Sequence, residues 1–274
     1  MAELIARRVA RCAVYWRLLL AQVRSQTQYR TSFVIDALAN AFSALLDVAA
    51  ILVFFRVTPA LGGSSMPEVL LMTGLGLIGF AGGDMLIGNV DRLRLYVRTG
   101  LLDAVLTRPL GVLPQLMVLD FPPRRIARFA QSALVLAVAL VTADVVWRPA
   151  AALMLVLAPI AGVVFFGAIC VATASLSFWW IESAQLSNSL TDGGRTFAIH
   201  PVTVYSGWFR WLFAYGFGFA FVAYYPALVL LDKPDPLGAP DFVRWLGPVV
   251  AMLAAGLAGV VWRAGVRHYR STGS

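Results

Sequence analysis

Apolar runs long enough to cross a lipid bilayer recur along this chain, and they constrain its fold more than any other feature. The runs lie at about 33–55, 66–90, 126–146, 150–180, 208–231 and 242–262. A transmembrane helix needs about 20 mostly apolar residues, which each of these runs supplies. Lipid offers no hydrogen-bond partner to the backbone, so runs of this kind are typical of helices. We therefore predict an all-α membrane protein with six transmembrane helices.

The composition agrees with this prediction and disfavours a soluble protein. Hydrophobic residues make up 60% of the chain and charged residues 13%, whereas soluble domains average about 25% charged residues. A net charge of +8 could indicate a nucleic-acid partner. The arginines, however, cluster beside the apolar runs, as is typical of membrane proteins. We therefore expect the lipid bilayer, and no nucleic acid, as a partner.

The distribution of basic residues predicts the orientation in the membrane. Residues 183–207 are polar and predict a loop that includes Arg195, with Arg210 close to it, so that one side of the membrane holds 18 of the basic residues. The other side holds four of the 22: Arg56, Arg148, Lys233 and Arg244. Because positively charged loops stay in the cytoplasm, we expect both termini to be cytoplasmic and the protein to lie in the plasma (inner) membrane.

Residues 4–24 predict an amphipathic helix ahead of the first apolar run. Apolar residues recur there at steps of three and four, at Ile5, Val9, Cys12, Trp16, Leu19 and Val23. Such a helix lies in the membrane interface, with its arginines toward anionic headgroups. We assign residues 1–30 to an N-terminal interfacial helix and residues 31–274 to a six-span transmembrane domain.

A charged segment, residues 91–109, separates the second and third apolar runs. It contains four arginines, at positions 92, 94, 98 and 108, which cannot rest in hydrocarbon without a large cost. Leucines and valines keep roughly helical spacing through the segment, with a break at Gly100 and a stop at Pro109. The pattern predicts a short helix on the cytoplasmic face, held there by two transmembrane helices.

Polar residues form a row within the first run. Asp36, Asn40, Ser43 and Asp47 follow one another at steps of four, three and four, so they share one side of a helix. Polar side chains inside a membrane face protein or water rather than lipid. The row either bonds a neighbouring helix or lines a transport pathway, and both interpretations stay open. Asp84 is a further candidate for a buried acid.

The second run contains Gly74-Leu-Gly76-Leu-Ile-Gly79, which matches a dinucleotide-binding fingerprint literally. That fingerprint requires a preceding strand and a helix that begins at the glycines. Here the glycines lie inside an apolar run and are followed by Gly83, four positions after Gly79. Close packing of transmembrane helices through small residues explains the glycines better.

The sequence offers no catalytic motif. Its single lysine, Lys233, is not in the Gly-Lys-Ser/Thr context of a P-loop, so ATP hydrolysis by that route is excluded. The two histidines, His200 and His268, lie far apart without the spacing of metal ligands. No Gly-x-Ser-x-Gly nucleophile motif is present. We infer that the protein moves or gates something and is not itself an enzyme.

The charged segment contains Arg98-Thr-Gly100-Leu-Leu-Asp103-Ala-Val-Leu106-Thr-Arg108-Pro109-Leu110. This stretch is similar to the Gly-x-Leu-Asp-x-x-Leu-x-Arg-Pro-Leu signature of one branch of the type-2 ABC exporter permeases. Residues 195–205, with their Arg, His-Pro and Tyr, and Tyr224-Tyr225-Pro226-Ala227 also resemble landmarks of that family. The order of features along the whole chain looks like that of such a permease.

The resemblance implies the permease subunit of an ATP-driven exporter, which forms its pathway with a second permease, identical or paralogous. ATP and Mg would be bound by separate ATP-binding cassette subunits, and no cofactor by this chain. The charged segment would contain a coupling helix that contacts those subunits through Arg98, Gly100, Leu102, Asp103, Leu106, Arg108 and Pro109. Pathway or interface residues would be Asp36, Asn40, Ser43, Asp47, Asp84, Phe217, Phe221, Tyr224 and Tyr225.

Two other classes of function fit parts of the sequence. An ion-coupled secondary transporter or channel would act without ATP, and Asp36, Asp47 and Asp84 could then carry protons. No inverted repeat is visible among the six runs, which argues weakly against this class. In a membrane scaffold, the polar row of the first run would only join helices.

Overall fold

A computed structural model describes residues 30–118, 124–180 and 183–269 of the chain. Every regular element in these ranges is helical, apart from one isolated bridge between Leu61 and Ser64. The predicted interfacial helix at 4–24 lies outside the described residues. The α-helices are α1 (Arg30–Val57), α2 (Met66–Ile87), α3 (Leu93–Arg98), α4 (Leu101–Leu106), α5 (Val112–Val118), α6 (Arg124–Thr142), α7 (Pro149–Ser175), α8 (Ala184–Ala198), α9 (Gly207–Arg210), α10 (Tyr224–Leu230) and α11 (Gly247–His268).

Four helices of the described ranges are long and apolar enough to cross a membrane: Met66–Arg98, Arg125–Thr142, Pro149–Phe178 and Gly247–His268. A bent pair, Gly207–Gly216 and Phe219–Leu230, makes five if it counts as one span. The protein is therefore an all-helical, multi-pass membrane protein, as predicted. The described residues support four to five spans by length and composition, whereas the sequence predicted six.

The two ends of the helix bundle differ in charge, and we name them accordingly. The basic end carries the charged segment, and the distal end carries residues 58–65 and 231–246. Helices α2 and α7 run in parallel from the distal end to the basic end, because Gly79 contacts Gly162 and Gly83 contacts Gly167.

The glycines of α2 allow this close approach. A Cβ atom on Gly79 would lie 3.0 Å from the Cα of Gly162, and one on Gly74 would lie 2.8 Å from the Cα of Leu136 on α6. These distances are shorter than ordinary van der Waals contact, so only hydrogen fits at either glycine. The interpretation of the glycine run as a helix-packing surface is confirmed.

Residues 184–198 form helix α8, so the polar loop predicted at 183–207 is wrong. Near the basic end, the Ser187 hydroxyl donates a 2.9 Å hydrogen bond to Thr173 Oγ1 of α7. Just beyond the other end of α8, the Ile199 carbonyl accepts a 3.1 Å bond from Thr73 Oγ1, close to the distal end of α2. Helix α8 therefore runs through most of the depth of the bundle. The exposed polar residues of α8 lower the mean hydropathy of residues 184–198, and for this reason the sequence predicted a loop there.

The aromatic wedge, residues 207–230, replaces the single fifth span predicted at 208–231. It consists of α9 and a π-helical turn, then a break at Gly218, and then a 3-10 turn and α10. Its two helical parts meet at an angle of 58°. Pro226 does not cause the bend, because it lies in the first turn of α10, where its missing N–H has no helical partner to lose. The bend lies at Gly218, whose φ of 90° favours glycine.

The wedge enters and leaves the bundle at the distal end. Just before it, Thr203 Oγ1 donates to the Gly62 carbonyl of the distal turn, and at its last residue the Leu230 carbonyl accepts from the Val146 N–H. Between these points Phe219 is fully buried against Phe165 of α7, with ring centroids 5.3 Å apart. Arg210 therefore belongs to the wedge rather than to a loop at the basic end.

The bundle contains two hydrophobic cores. The larger core lies toward the distal end and joins α2, α7, α8 and the wedge around Leu71, Phe165 and Phe219. The smaller core lies at the basic end, where the charged segment packs on the ends of α7 and α11. The charged segment is therefore packed into the bundle and does not form a separate loop.

Candidate functional site

The charged segment folds into two short helices, α3 and α4, that meet at Gly100. This glycine has φ 72° in the left-handed region, which side chains with a Cβ rarely adopt. The break predicted at Gly100 is confirmed, and α4 ends at Leu106, before the predicted stop at Pro109. A turn at this glycine folds α4 back, so that both helices can place a face on the bundle.

The buried face of the segment forms much of the smaller core. Leu93 is 0% exposed and Leu102 is 1% exposed, and Val97 and Val105 are also buried. They belong to one cluster with residues from the basic ends of α7 and α11, which are Ala168, Val171, Ala174, Phe178, Ala258 and Trp262. Through this apolar contact the segment packs against the ends of both long helices.

Two buried amides hold the segment to helix α5. Gln115 Nε2 donates to the carbonyls of Val105 and Leu110, each at 3.1 Å. Asn89 Nδ2 donates to the Leu116 carbonyl at 3.0 Å. Both side chains are 2% exposed, so loss of either would leave buried carbonyls without a donor. Neither residue was predicted from the sequence, although each is a polar residue flanked by apolar ones.

A hydrogen bond links α4 to the end of the last helix. Tyr269 directly follows α11, and its hydroxyl donates to Asp103 Oδ1 at 3.1 Å. Partial burial raises the pKa of Tyr269, and the Asp103 carboxylate raises it further, because both disfavour a phenolate. Tyr269 is therefore a neutral donor at physiological pH. Asp103 was predicted as a site residue from the sequence, whereas its partner Tyr269 was not.

The opposite face of the segment is exposed. It presents the arginines at positions 92, 94, 98 and 108, together with three apolar side chains, Leu95 at 51%, Leu101 at 52% and Leu106 at 40% exposure. Pro109 is exposed beside Arg108. An exposed apolar surface ringed by charge is typical of a site of protein–protein contact. The predicted residues Arg98, Leu106, Arg108 and Pro109 lie on this face, whereas Leu102 lies in the core.

Asp84 forms a pair of salt bridges between α2 and α6. Its Oδ1 lies 3.2 Å from Arg125 Nε, and its Oδ2 lies 3.1 Å from Arg128 Nη1. The Asp84 side chain is 18% exposed and that of Arg125 is 13% exposed. The carboxylate thus cross-links two helices near the basic end, and removal of one partner would strand a largely buried charge.

Helix α8 carries a polar stripe on its exposed side. The stripe consists of Gln185, Asn188, Ser189, Asp192, Gly193 and Thr196, which share one side of the helix. The other side is buried at Ser187, Gly194 and Phe197. Because α8 runs through the depth of the bundle, the stripe must meet water or another protein rather than lipid. Polar residues at helical spacing could have revealed it in the sequence.

A cavity of about 180 Å³ lies beside the part of this stripe that is nearer the basic end. Asn188 and Asp192 line it from α8, Asp84 and Asp91 line it from the chain at the basic end of α2, and Cys170 lines it from α7. The Cys170 thiol is buried and lies 3.2 Å from Asp91 Oδ1. Arg128 lines it from α6, so the cavity brings polar groups from four parts of the chain around one space.

The predicted pathway residues whose side chains the structure describes lie in different parts of the bundle. Tyr224 and Tyr225 are buried in the larger core, and the Tyr224 hydroxyl donates to Asp235 Oδ1 at 2.6 Å. Phe217 and Phe221 are half-buried in the wedge, which belongs to the distal part of the bundle, whereas Asp84 lies near the basic end. Asp36, Asn40, Ser43 and Asp47 lie on α1, and their side chains are outside the described residues.

Comparison with known proteins identifies the family. A family model described as "ABC-2 family transporter protein" matches residues 41–273, which is most of the chain. No curated protein and no solved structure matches the chain. The chain belongs to the ABC-2 family of transporter membrane proteins, and the resemblance seen in the sequence is confirmed.

Proposed function

We propose that this ABC-2 family protein is the permease subunit of an ATP-driven exporter, with ATP and Mg held by separate ATP-binding subunits. A second permease, identical or paralogous, completes the pathway. The observation that carries the proposal is the charged segment, which exposes arginines and leucines on a base packed into the bundle. Export, as the direction of transport, rests on the resemblance of residues 98–110 to exporter permeases.

In this proposal the basic end faces the cytoplasm, together with both termini. Arg195 and Arg210 no longer count toward the predicted cytoplasmic side. Most of the 22 basic residues still lie on that side. Helix α8 is then the fifth crossing, and the wedge dips into the membrane from the distal side. This arrangement restores six crossings, formed by α1, α2, α6, α7, α8 and α11.

The exposed face of the charged segment indicates what its partner must offer. The arginines at 92, 94, 98 and 108 call for acidic side chains around the contact, and Leu95, Leu101 and Leu106 call for an apolar floor. We therefore propose that the ATP-binding subunit receives the segment in an apolar groove with an acidic rim. Hydrolysis would push the segment through this contact.

The polar stripe of α8 is the surface that we propose for the transport pathway. It spans most of the bundle and opens into the cavity beside Asn188 and Asp192. The row of α1, Asp36, Asn40, Ser43 and Asp47, is proposed to border the pathway or the second permease. We propose that Phe217 and Phe221 line the distal part of the pathway, and that Tyr224 and Tyr225 support them from the core.

The alternative, an ion-coupled transporter without ATP, has no specific observation in its favour. Asp84 would be its best proton carrier, but two arginines engage this carboxylate in a cross-link between helices. The test below separates the two functions, because only the ATP-driven one requires a nucleotide-hydrolysing partner.

The test is co-purification with the ATP-binding subunit after mild detergent extraction, followed by ATP-dependent transport in liposomes. The variant Arg94→Glu/Arg98→Glu reverses two exposed charges of the segment and should lose the partner. The control, Arg263→Glu/Arg267→Glu, reverses two exposed charges at the same end but outside the segment, and should keep it. A wild-type protein that transports without any ATP-hydrolysing partner would overturn the proposal.

A further inference from the structure

The last helix, α11, touches the charged segment at one end and the aromatic wedge at the other. At the basic end the Tyr269 hydroxyl donates to Asp103 of α4. The Tyr269 ring also meets Phe178 edge-on, with centroids 6.1 Å apart, inside the smaller core. The contact therefore combines one directional hydrogen bond with an aromatic packing surface.

At its other end α11 meets the wedge through two close contacts. A Cβ atom on Gly247, the first residue of α11, would lie 2.9 Å from the Phe221 carbonyl oxygen of the wedge. A Cβ atom on Gly218, at the bend of the wedge, would lie 2.7 Å from Val250 Cγ1. Because neither contact has free space, a shift of α11 toward the wedge displaces the wedge.

The contact between α11 and α7 is suited to such a shift. Ala251, Ala258 and Gly265 are buried at intervals of seven residues along α11. At Ala251 and Ala258 the small side chains form a shallow seam, and packed helices move past each other by small shear movements. At the basic end the Trp262 ring meets Phe178 edge-on, with centroids 5.6 Å apart, so that end of α11 moves together with the smaller core. The 22 residues of α11 span about 33 Å, enough to join the two regions through the membrane.

We propose that Tyr269 is a positioning residue that ties α11 to the charged segment, so that α11 carries the movement of the segment to the aromatic wedge. The inference rests on the proposed function, because it assumes that an ATP-binding subunit moves the segment. It adds that the distal side responds through α11, and that the Tyr269–Asp103 hydrogen bond is the joint at the basic end.

The experiment uses the complete complex with its ATP-binding subunit in liposomes, with the variant Tyr269→Phe. This change removes the hydroxyl and keeps the ring against Phe178, so the fold should be retained. ATP hydrolysis should continue, while transport per ATP hydrolysed should fall about tenfold, as expected for loss of a hydrogen bond to a charged acceptor. A purely structural role would lower both rates together.

A second readout follows the wedge directly. Trp208 is 74% exposed at the start of the wedge, so Trp208→Cys can carry a fluorophore after Cys12 and Cys170 are replaced by serine. ATP should change the fluorescence in the otherwise native complex, and Tyr269→Phe should abolish that change. The control Tyr205→Phe also removes a tyrosine hydroxyl, but outside the α11 contacts, and should leave the signal and the transport unchanged.

A double variant tests whether the two residues act as one joint. Tyr269→Phe should cause no further loss of coupling in an Asp103→Leu background, because the bond is already absent. The inference is overturned if Tyr269→Phe transports with normal coupling, or if the wedge signal persists in it. If instead the wild-type complex shows no ATP-dependent transport, the proposed function fails and not this inference.

Discussion

The charged segment and the aromatic wedge lie toward opposite ends of the bundle, and different forces shape them. In the charged segment, local features set the conformation, namely the φ of 72° at Gly100 and the alternation of buried leucines with exposed arginines. The wedge is apolar on nearly all sides, and its bend at Gly218 is set by the neighbouring helices, as the contact of Phe219 with Phe165 illustrates. The conformation of the segment depends mainly on its own sequence, whereas that of the wedge depends on its contacts with neighbouring helices.

This difference separates two kinds of sensitivity to mutation. Changes in the wedge should first affect stability, because its residues fill the larger core. Changes on the outer face of the charged segment should first affect transport rather than stability, because that face is exposed. The predictions below test that division, beginning with the largest expected effect.

The largest effect on stability is expected from Phe219→Ala in the wedge. Phe219 is 0% exposed, so the free energy of unfolding should fall by about 3–5 kcal/mol from lost burial and a new cavity. Trp208→Ala, in the same wedge but 74% exposed, should change it by less than about 0.5 kcal/mol. Unfolding in detergent measures both, and equal effects would contradict the assignment of Phe219 to the core.

Gly100→Pro should abolish ATP-dependent transport while leaving membrane insertion intact. Proline fixes φ near −65°, which is incompatible with the φ of 72° here, so α4 cannot fold back onto the bundle. Gly100→Asn is the matched control, because asparagine tolerates the left-handed region and should keep most of the transport. Transport assays on equal amounts of inserted protein decide the matter. If Gly100→Pro transports normally, the charged segment does not couple.

Gln115→Leu should loosen the charged segment without unfolding the bundle. It removes the donor to the Val105 and Leu110 carbonyls, at a cost of about 1–3 kcal/mol for buried groups left unpaired. Hydrogen exchange of residues 101–106 should then be faster. Thr107→Val, which removes an exposed hydrogen bond to the Ala104 carbonyl, should have little effect on that rate. Equal exchange in the two variants would show that Gln115 does not brace α4.

The smallest effect on stability is expected from Arg94→Ala. This arginine is exposed, so the free energy of unfolding should change by less than about 0.5 kcal/mol. Its effect should appear instead in the binding of the ATP-binding subunit, which should become less sensitive to salt because one attractive charge is lost. Binding measured at two salt concentrations tests this. A large loss of stability would show that Arg94 contributes to folding as well as to binding.

The sequence predicted those parts of the fold that short stretches determine. The apolar runs of α2, α6, α7 and α11 lie where they were expected, because their length and hydropathy suffice to define them. The break at Gly100 and the helix-packing role of Gly79 were also readable, since each depends on a property of glycine itself. The predictions for the site residues as pathway or coupling groups stay predictions.

The sequence could not reveal features that only distant contacts create. Helix α8 has more polar than apolar positions, and it becomes an element of the bundle through distant contacts such as those with Phe80, Thr173 and Phe219. The partner of Asp103 lies 166 residues further along the chain, so no local pattern points to Tyr269. The requirement for glycine at the bend of the wedge also comes from distant residues, because Val250 and Phe165 leave no room for a side chain at Gly218.

The half-polar character of α8 also bears on how the protein is made. A 15-residue helix with an aspartate and an arginine is a poor substrate for insertion by itself, since charged residues at a helix centre disfavour partition from the translocon into lipid. Its buried side is completed by Phe219, which is synthesised later. We therefore expect biogenesis of the C-terminal third to be concerted, with α8 retained at the translocon until the wedge emerges.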